Sequence, residues 1–516
     1  MSRRLPIFYS ALLLTGVNLL LRLAGTSFQV YLSGQIGPEG VGLLQLVLSV
    51  GSMSMIAGIA GVRTAAMYLT AEELGKKREE NVTAALSSCF IYSISCSGAA
   101  ALLLYRLAPR LAEFWIGNAG TADALRLLAG FLPVSCLCAV MTGYFTAANR
   151  IGTLAAVEVA EQLCAMGLTL LALKLWARQD AVRACQSVIL GSSLGSCLTL
   201  GCLMLLRQRQ HAKACEVPGI GRRLCQTALP LAAADILKAG ISTAENLMVP
   251  KRLARNPAVE NPLASFGIVS GMTFPILMFP VCILFGLAEL LIPELARCAA
   301  AEKYTRIAYL VRRSLKATLL YSLAVAGLLL LLAEPLCLHF YKSPEAALSL
   351  RRYAPLIPML YCDAVIDAMT KGLGQQRACV RYNILTSAMD VGMLYFLLPV
   401  LGMRGYYISF FISHGVNFIL SLRRLLKISR IALPLGTIGK ALAASLLALL
   451  IARIFPGTGT RCVLFLGLLL SLLCLLGVLE STDCHWFLGI LRGKKTEPGV
   501  KPSSVAGNAY AFFFLL

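Results

Sequence analysis

The chain has 516 residues, of which 58% are hydrophobic and only 14% charged, where an average soluble protein carries about 25% charged residues. So little polar side chain cannot cover a globule of this size; a soluble enzyme, a fibre and a disordered chain are excluded, and lipid must solvate most of the surface. The 47 Lys and Arg against 25 Asp and Glu leave a net charge of +22, which in a membrane protein reads as cytoplasmic loops collecting cations rather than as nucleic-acid binding.

A membrane-spanning helix needs about 20 apolar residues. About fourteen such runs follow one another: 7–32, 41–62, 83–105, 124–147, 154–177, 182–206, 225–249, 264–295, 314–338, 352–373, 379–400, 403–422, 435–455 and 461–480. The expected fold is an all-α polytopic membrane protein. The first run follows Ser2-Arg3-Arg4 like a signal peptide, but it is too long and lacks a small-residue cleavage site, so it is read as a spanning helix.

Ionisable residues within spans are costly, about 2.5–3.5 kcal/mol each at a helix centre, and so mark cavities or partners. The first run carries Asn18, Arg22, Gly25 and Gln29 on one helical face. Arg63 ends the second run. The fifth holds Glu158 and Glu161, and the sixth holds Gly191-Ser-Ser-Leu-Gly195, a close-packing pattern. The seventh repeats the arrangement of the first with Asp235, Lys238, Ser242 and Glu245, again on one face. These residues either line a site or pair among themselves, Lys238 with Asp235 or Glu245. Pro230, Pro275 and Pro280 can bend the seventh and eighth runs, which also include Glu289. The tenth run has Asp363 and Asp367 above Thr370 and Lys371, and the eleventh has Asp390. The twelfth has Ser409, Ser413, Asn417 and Ser421 along one edge, beside His414, which reads as a packed residue. An acid pair on one face could bind a proton or a sodium ion, or could neutralise arginines across the bundle.

The order of spans repeats. Leu107-Ala-Pro109-Arg-Leu followed by Leu132-Pro133 is echoed by Leu332-Ala-Glu-Pro335-Leu followed by Ile357-Pro358. Residues 1–220 and 221–430 are therefore expected to form two pseudo-symmetric six-helix lobes, with two extra helices in 431–480 and a disordered cytoplasmic tail in 481–516. Such a duplication is a transporter arrangement, with the site between the halves. Clusters such as Arg63, Lys76, Lys77, Arg78 and Arg423, Arg424, Lys427, Arg430 place both termini in the cytoplasm.

Catalytic motifs are missing: no GxxxxGK[ST] loop, HExxH, GxSxG or dinucleotide fingerprint occurs, and the cysteines are scattered without zinc-ligand spacing. The expectation is a protein that is not an enzyme, with no catalytic residue, metal site or cofactor, driven by a proton, a sodium ion or the membrane potential.

Arg22-Leu-Ala-Gly25, Gly37-Pro38-Glu-Gly40, Gly58-Ile-Ala-Gly61, Ala71-Glu-Glu-Leu-Gly75, Ala228-Leu-Pro230-Leu, Leu247-Met-Val-Pro250-Lys-Arg-Leu253 and Leu291-Ile-Pro293-Glu-Leu follow one another along the chain. In this order they resemble the multidrug/oligosaccharidyl-lipid/polysaccharide (MOP) flippase superfamily, and within it the sporulation and polysaccharide-exporter branch related to the lipid II flippases. The resemblance covers residues 1–480. It implies two lobes facing a central cavity bounded by helices 1, 2, 7 and 8. It also implies movement of a lipid-linked sugar precursor, for spore-cortex or cell-wall peptidoglycan or another polysaccharide, across the bacterial cytoplasmic membrane. Related flippases place arginines in that cavity; here Arg22, Lys238 and Arg63 carry over.

The site expected from these readings comprises Asn18, Arg22, Gln29, Arg63, Lys238, Ser242 and Glu245 for an anionic lipid-linked sugar, with Asp235, Asp363, Asp367 and Asp390 as ion-coupling positions. Membrane lipids and cell-wall synthesis enzymes are the other expected partners, and nucleic acid is not. The alternatives are a cation-coupled multidrug antiporter of the same fold, whose cavity should be acidic and aromatic, and a non-transporting scaffold for cell-wall enzymes.

Overall fold

The computed structural model describes residues 7–75, 79–148, 150–177, 180–208, 220–432 and 435–479, and all regular structure among them is helical. The helices are α1 (Ile7–Ile59), α2 (Val62–Gly75), α3 (Glu79–Arg110), α4 (Thr121–Ala147), α5 (Ile151–Ala172) and α6 (Ala181–Gln208). They continue with α7 (Ile220–Leu253), α8 (Pro262–Gly267), α9 (Phe274–Met278), α10 (Val281–Ala300), α11 (Tyr304–Tyr341) and α12 (Pro344–Tyr353). The last five are α13 (Ile357–Gly372), α14 (Gln376–Leu401), α15 (Met403–Ser429), α16 (Leu435–Ile454) and α17 (Thr458–Leu475). The expected tail from 481 lies outside the described residues.

By length and composition, ten helices among the described residues could cross a membrane, or eleven if the broken pair Pro262–Met278 and Val281–Ala300 is one span. The expected number is about fourteen, and the difference has identifiable causes. Leu20–Leu74 runs as one 55-residue apolar stretch. That stretch is too long for one crossing: two helices, holding the first and second expected runs, meet at a kink ahead of Pro38, where Gly37 has φ 69° and ψ 176°, a conformation that suits glycine. Meanwhile α13 has only 16 residues, and α15 carries Tyr406, Tyr407, Ser409, Ser413, His414 and Asn417 among its apolar residues.

The chain forms two compact units: one holds residues up to Gly271 together with Val391–Met403, the other Met272–Asp390 together with the residues from Arg404 onward. In the first, Leu86, Cys89, Met141, Phe145, Leu203, Leu224 and Ala228 belong to one apolar core drawn from α3, α4, α6 and α7. Here cysteine packs as a small hydrophobe. The glycine pattern on α6 packs closely, as expected: a Cβ at Gly191 would stand 2.8 Å from the Ala165 carbonyl oxygen on α5, and one at Gly195 would stand 3.1 Å from Ala165 Cβ. In the second unit, α16 and α17 pack on α11 through Ala444, Ala448, Leu469 and Phe465, whose ring lies over Gly327. Where α9 gives way to α10 at Phe279 and Pro280, a buried and a half-buried tyrosine from neighbouring helices supply donors. The Tyr361 hydroxyl donates to the Leu277 carbonyl (2.7 Å) and the Tyr321 hydroxyl donates to the Pro280 carbonyl (2.9 Å).

Candidate functional site

Within the first unit, α7 lies against the second half of α1. The Thr243 hydroxyl donates to the Ser49 carbonyl (3.1 Å), and the Asn246 amide donates to the Ser49 hydroxyl (3.1 Å). Ala239, Thr243 and Leu247 are buried. The face rotated by about 100°, one residue round the helix, carries Asp235, Lys238 and Ser242, all exposed, and the half-buried Glu245. Asp235 and Lys238 form no ion pair among the described residues, so they do not satisfy each other.

Arg22 lies midway between Ile7 and the Gly37 break, about 22 Å from either at 1.5 Å per residue. It is exposed, and Gly25 one turn on approaches Gln162 of α5. Lys238 is likewise near the middle of α7. A charge at that depth in contact with lipid is disfavoured by about 2.5–3.5 kcal/mol. An exposed cation at mid-helix therefore needs water or a polar partner beside it. Asn18 lies on α1, but its side chain is outside the described set.

The remaining expected residues have other surroundings. The Gln29 amide donates to the Gly271 carbonyl (3.0 Å), fastening α1 to the turn after α8. Arg63 is exposed in the first turn of α2 and acts electrostatically on Glu158 of α5. Glu161, one turn further, accepts a bond from the Ser196 hydroxyl of α6 (3.2 Å). The side chain of Glu289 is outside the described set.

In the second unit the acids are dispersed into three environments. Asp363 accepts from the Asn417 amide (2.9 Å), yet Asp363 Oδ1 and Asn417 Oδ1 are buried and without a hydrogen-bond partner. Asp367 pairs with Lys371 of its own helix (2.6 Å), not with an arginine from across the bundle. Asp390, 6% exposed, accepts from the Ser409 hydroxyl (2.5 Å). The serine and asparagine edge of α15 is thus buried, and two of its members serve carboxylates. His414 packs on Phe410, ring centroids 4.1 Å apart.

Ser49, Thr243 and Asn246 escaped the sequence reading because small polar residues inside apolar runs are ordinary, and only the contact between α1 and α7 singles them out. The Gly61 turn, tucked against Ala228, and the pairing of Arg223 with Glu72 and Glu73 add a second fastening of α7, at its start.

The profile of the MatE family matches residues 15–171 and again residues 230–396. Stage V sporulation protein B of Bacillus subtilis (strain 168) is 21% identical over 410 residues, which is 76% of this chain and 78% of that protein. Among solved structures, the lipid II flippase MurJ in an inward closed conformation aligns with a TM-score of 0.67 at 12% identity, covering 89% of this chain and 98% of that one. The inward-facing conformation of a multidrug resistance MATE family transporter of the MOP superfamily aligns with a TM-score of 0.63 at 14% identity, covering 81% of this chain and all of the other. At these identities the structures speak for the fold.

Proposed function

The chain belongs to the MatE family and is a multi-pass membrane transporter of the MOP superfamily; on that premise we propose that it is a flippase for a lipid-linked anionic sugar, a peptidoglycan or polysaccharide precursor. The observation that carries this reading is the pair of exposed mid-helix cations, Arg22 and Lys238, in the first unit. A polyprenyl-diphosphate sugar has a charged centre, a bulky polar head and a long tail. Cations at mid-depth on a wet wall match the diphosphate, and Ser242, Glu245, Asn18 and Gln29 on the same two helices supply hydrogen-bonding groups for the sugar. Gln29 retains its amide oxygen and one N–H for that purpose, since its other N–H is bound to the Gly271 carbonyl. Arg63 extends the positive wall toward α2. The relative named for sporulation and the fold neighbour named as a lipid II flippase favour this class of cargo.

The reading continues to coupling and location. Asp363 and Asn417 present two buried oxygens that a proton or a sodium ion would satisfy; Asp235, Asp367 and Asp390 are further coupling positions. The protein sits in the bacterial cytoplasmic membrane with both termini inside and works by alternating access, alongside cell-wall synthesis enzymes.

Native mass spectrometry of the purified protein tests the cargo. A polyprenyl-diphosphate sugar retained by the wild type and lost in Arg22→Ala/Lys238→Ala, with unchanged thermal stability, is the expected result. Absence of such a lipid in both forms, together with binding of organic cations, would instead favour a cation-coupled multidrug antiporter. The aromatic group of Phe274, Tyr353, Tyr407 and Phe410 in the second unit is what keeps that second reading open.

A further inference from the structure

The end of α7 remote from Arg223 carries Lys251 and Arg252 in its last turn and Arg255 just beyond it. None of the three makes an ion pair among the described residues, although Glu260 is near in sequence. Aromatic rings hold two of them instead. The Lys251 ammonium lies 4.9 Å from the centre of the Trp115 ring, and the Arg252 guanidinium lies 3.2 Å from the centre of the Tyr395 ring. Trp115 and Tyr395 are 46% and 44% exposed. Around them stand Phe114, Phe396, Val400 and Leu401, all exposed.

The depth of this group follows from helix length. Lys251 is about 20 Å along the axis from Lys238, near the middle of α7. The hydrocarbon core extends only about 15 Å from the midplane, so the three cations reach the headgroup layer while the exposed aromatic and aliphatic side chains stay at its inner edge. Last-turn cations also offset the negative end of a helix dipole. That role does not require aromatic rings to fix them facing outward, and it does not involve Arg255, which is past the helix. We propose that Lys251, Arg252 and Arg255, held by Trp115 and Tyr395, form a binding site for the phosphate headgroup of an anionic phospholipid. The site is distinct from the cargo wall at mid-membrane and does not depend on what that wall carries.

The test uses the full-length protein in nanodiscs or detergent, with phosphatidylglycerol and phosphatidylcholine as probes and native mass spectrometry as the readout. The wild type should retain phosphatidylglycerol preferentially. Lys251→Gln, Arg252→Gln and Arg255→Gln should each weaken that retention roughly fivefold, equivalent to about 1 kcal/mol for a cation near the membrane surface. Phosphatidylcholine retention should not change. Trp115→Ala should weaken both lipids by loosening the aromatic support, whereas Lys174→Gln, an exposed cation elsewhere, should change neither. The single variants keep the test decisive if the triple variant does not fold. Equal retention of both lipids by the wild type, an unchanged preference in all three variants, or the same loss in Lys174→Gln would overturn the proposal. So would displacement of phosphatidylglycerol by an equimolar polyprenyl-diphosphate sugar, which would make the patch part of the cargo path.

Discussion

Gly61 joins α1 to α2 at φ +73°, and a Cβ built on it would stand 2.5 Å from the Ala228 carbonyl oxygen and 3.2 Å from its carbon on α7. Gly61→Ala therefore carries two independent costs. The left-handed backbone disfavours an L side chain by about 1–2 kcal/mol. The steric clash adds about 1–3 kcal/mol, because the obstacle is main chain and cannot turn aside as a side chain could. Together these give a loss of about 2–5 kcal/mol, or roughly 4–10 °C in the melting temperature at about 2 °C per kcal/mol for a unit of this size. The assay is thermal unfolding of purified protein in one detergent, with Gly98→Ala and Gly130→Ala as controls. Those two glycines have open space where the methyl would go and are not at positive φ. If Gly61→Ala melted with the controls, the close approach of α7 to the α1–α2 turn would be wrong, and with it the packing that sets the orientation of the Lys238 face.

Other consequences follow from neighbouring contacts. Arg223→Ala strips the charged partner from Glu73, whose side chain is 4% exposed, and should destabilise by about 1–3 kcal/mol in denaturant unfolding; the range is below that of a fully buried pair because the Arg223 side chain is 41% exposed. Tyr361→Phe leaves the Leu277 carbonyl without its donor at the α9–α10 break and should cost about 1–3 kcal/mol by the same measurement. Gly191→Ala should separate α5 from α6 and lower the melting temperature, while a similar change at Gly167, which has nothing within 4 Å, should not. Asp363→Asn should preserve the fold and abolish any dependence of transport on a proton or sodium gradient, read in proteoliposomes with the gradient imposed and collapsed; full retention of that dependence would remove Asp363 from the coupling positions.

Much was legible without coordinates, because it rests on properties each residue carries by itself. Composition required a lipid-solvated chain, and apolar runs of about 20 residues made it helical, since a backbone in hydrocarbon must satisfy its own hydrogen bonds. Periodicity placed Asp235, Lys238, Ser242 and Glu245 on one face, and that face is the one α7 leaves open or partly open. The close-packing role of Gly191 and Gly195 could be read from their spacing. Partnership could not, because it depends on which helices meet. The Ser49 contacts of Thr243 and Asn246 and the binding of Gln29 to Gly271 are pairings between surfaces that periodicity treats as equivalent. The same holds for the boundary of the first unit at Gly271: α7 and α8 pack on α1, and burial of side chains between helices, not their order in the chain, defines a compact unit. The sequence determined that this protein crosses a membrane and exposes charge within it. Tertiary packing decided which of those charges are buried among neighbours, as Asp390 is, and which are left exposed, as Lys238 is.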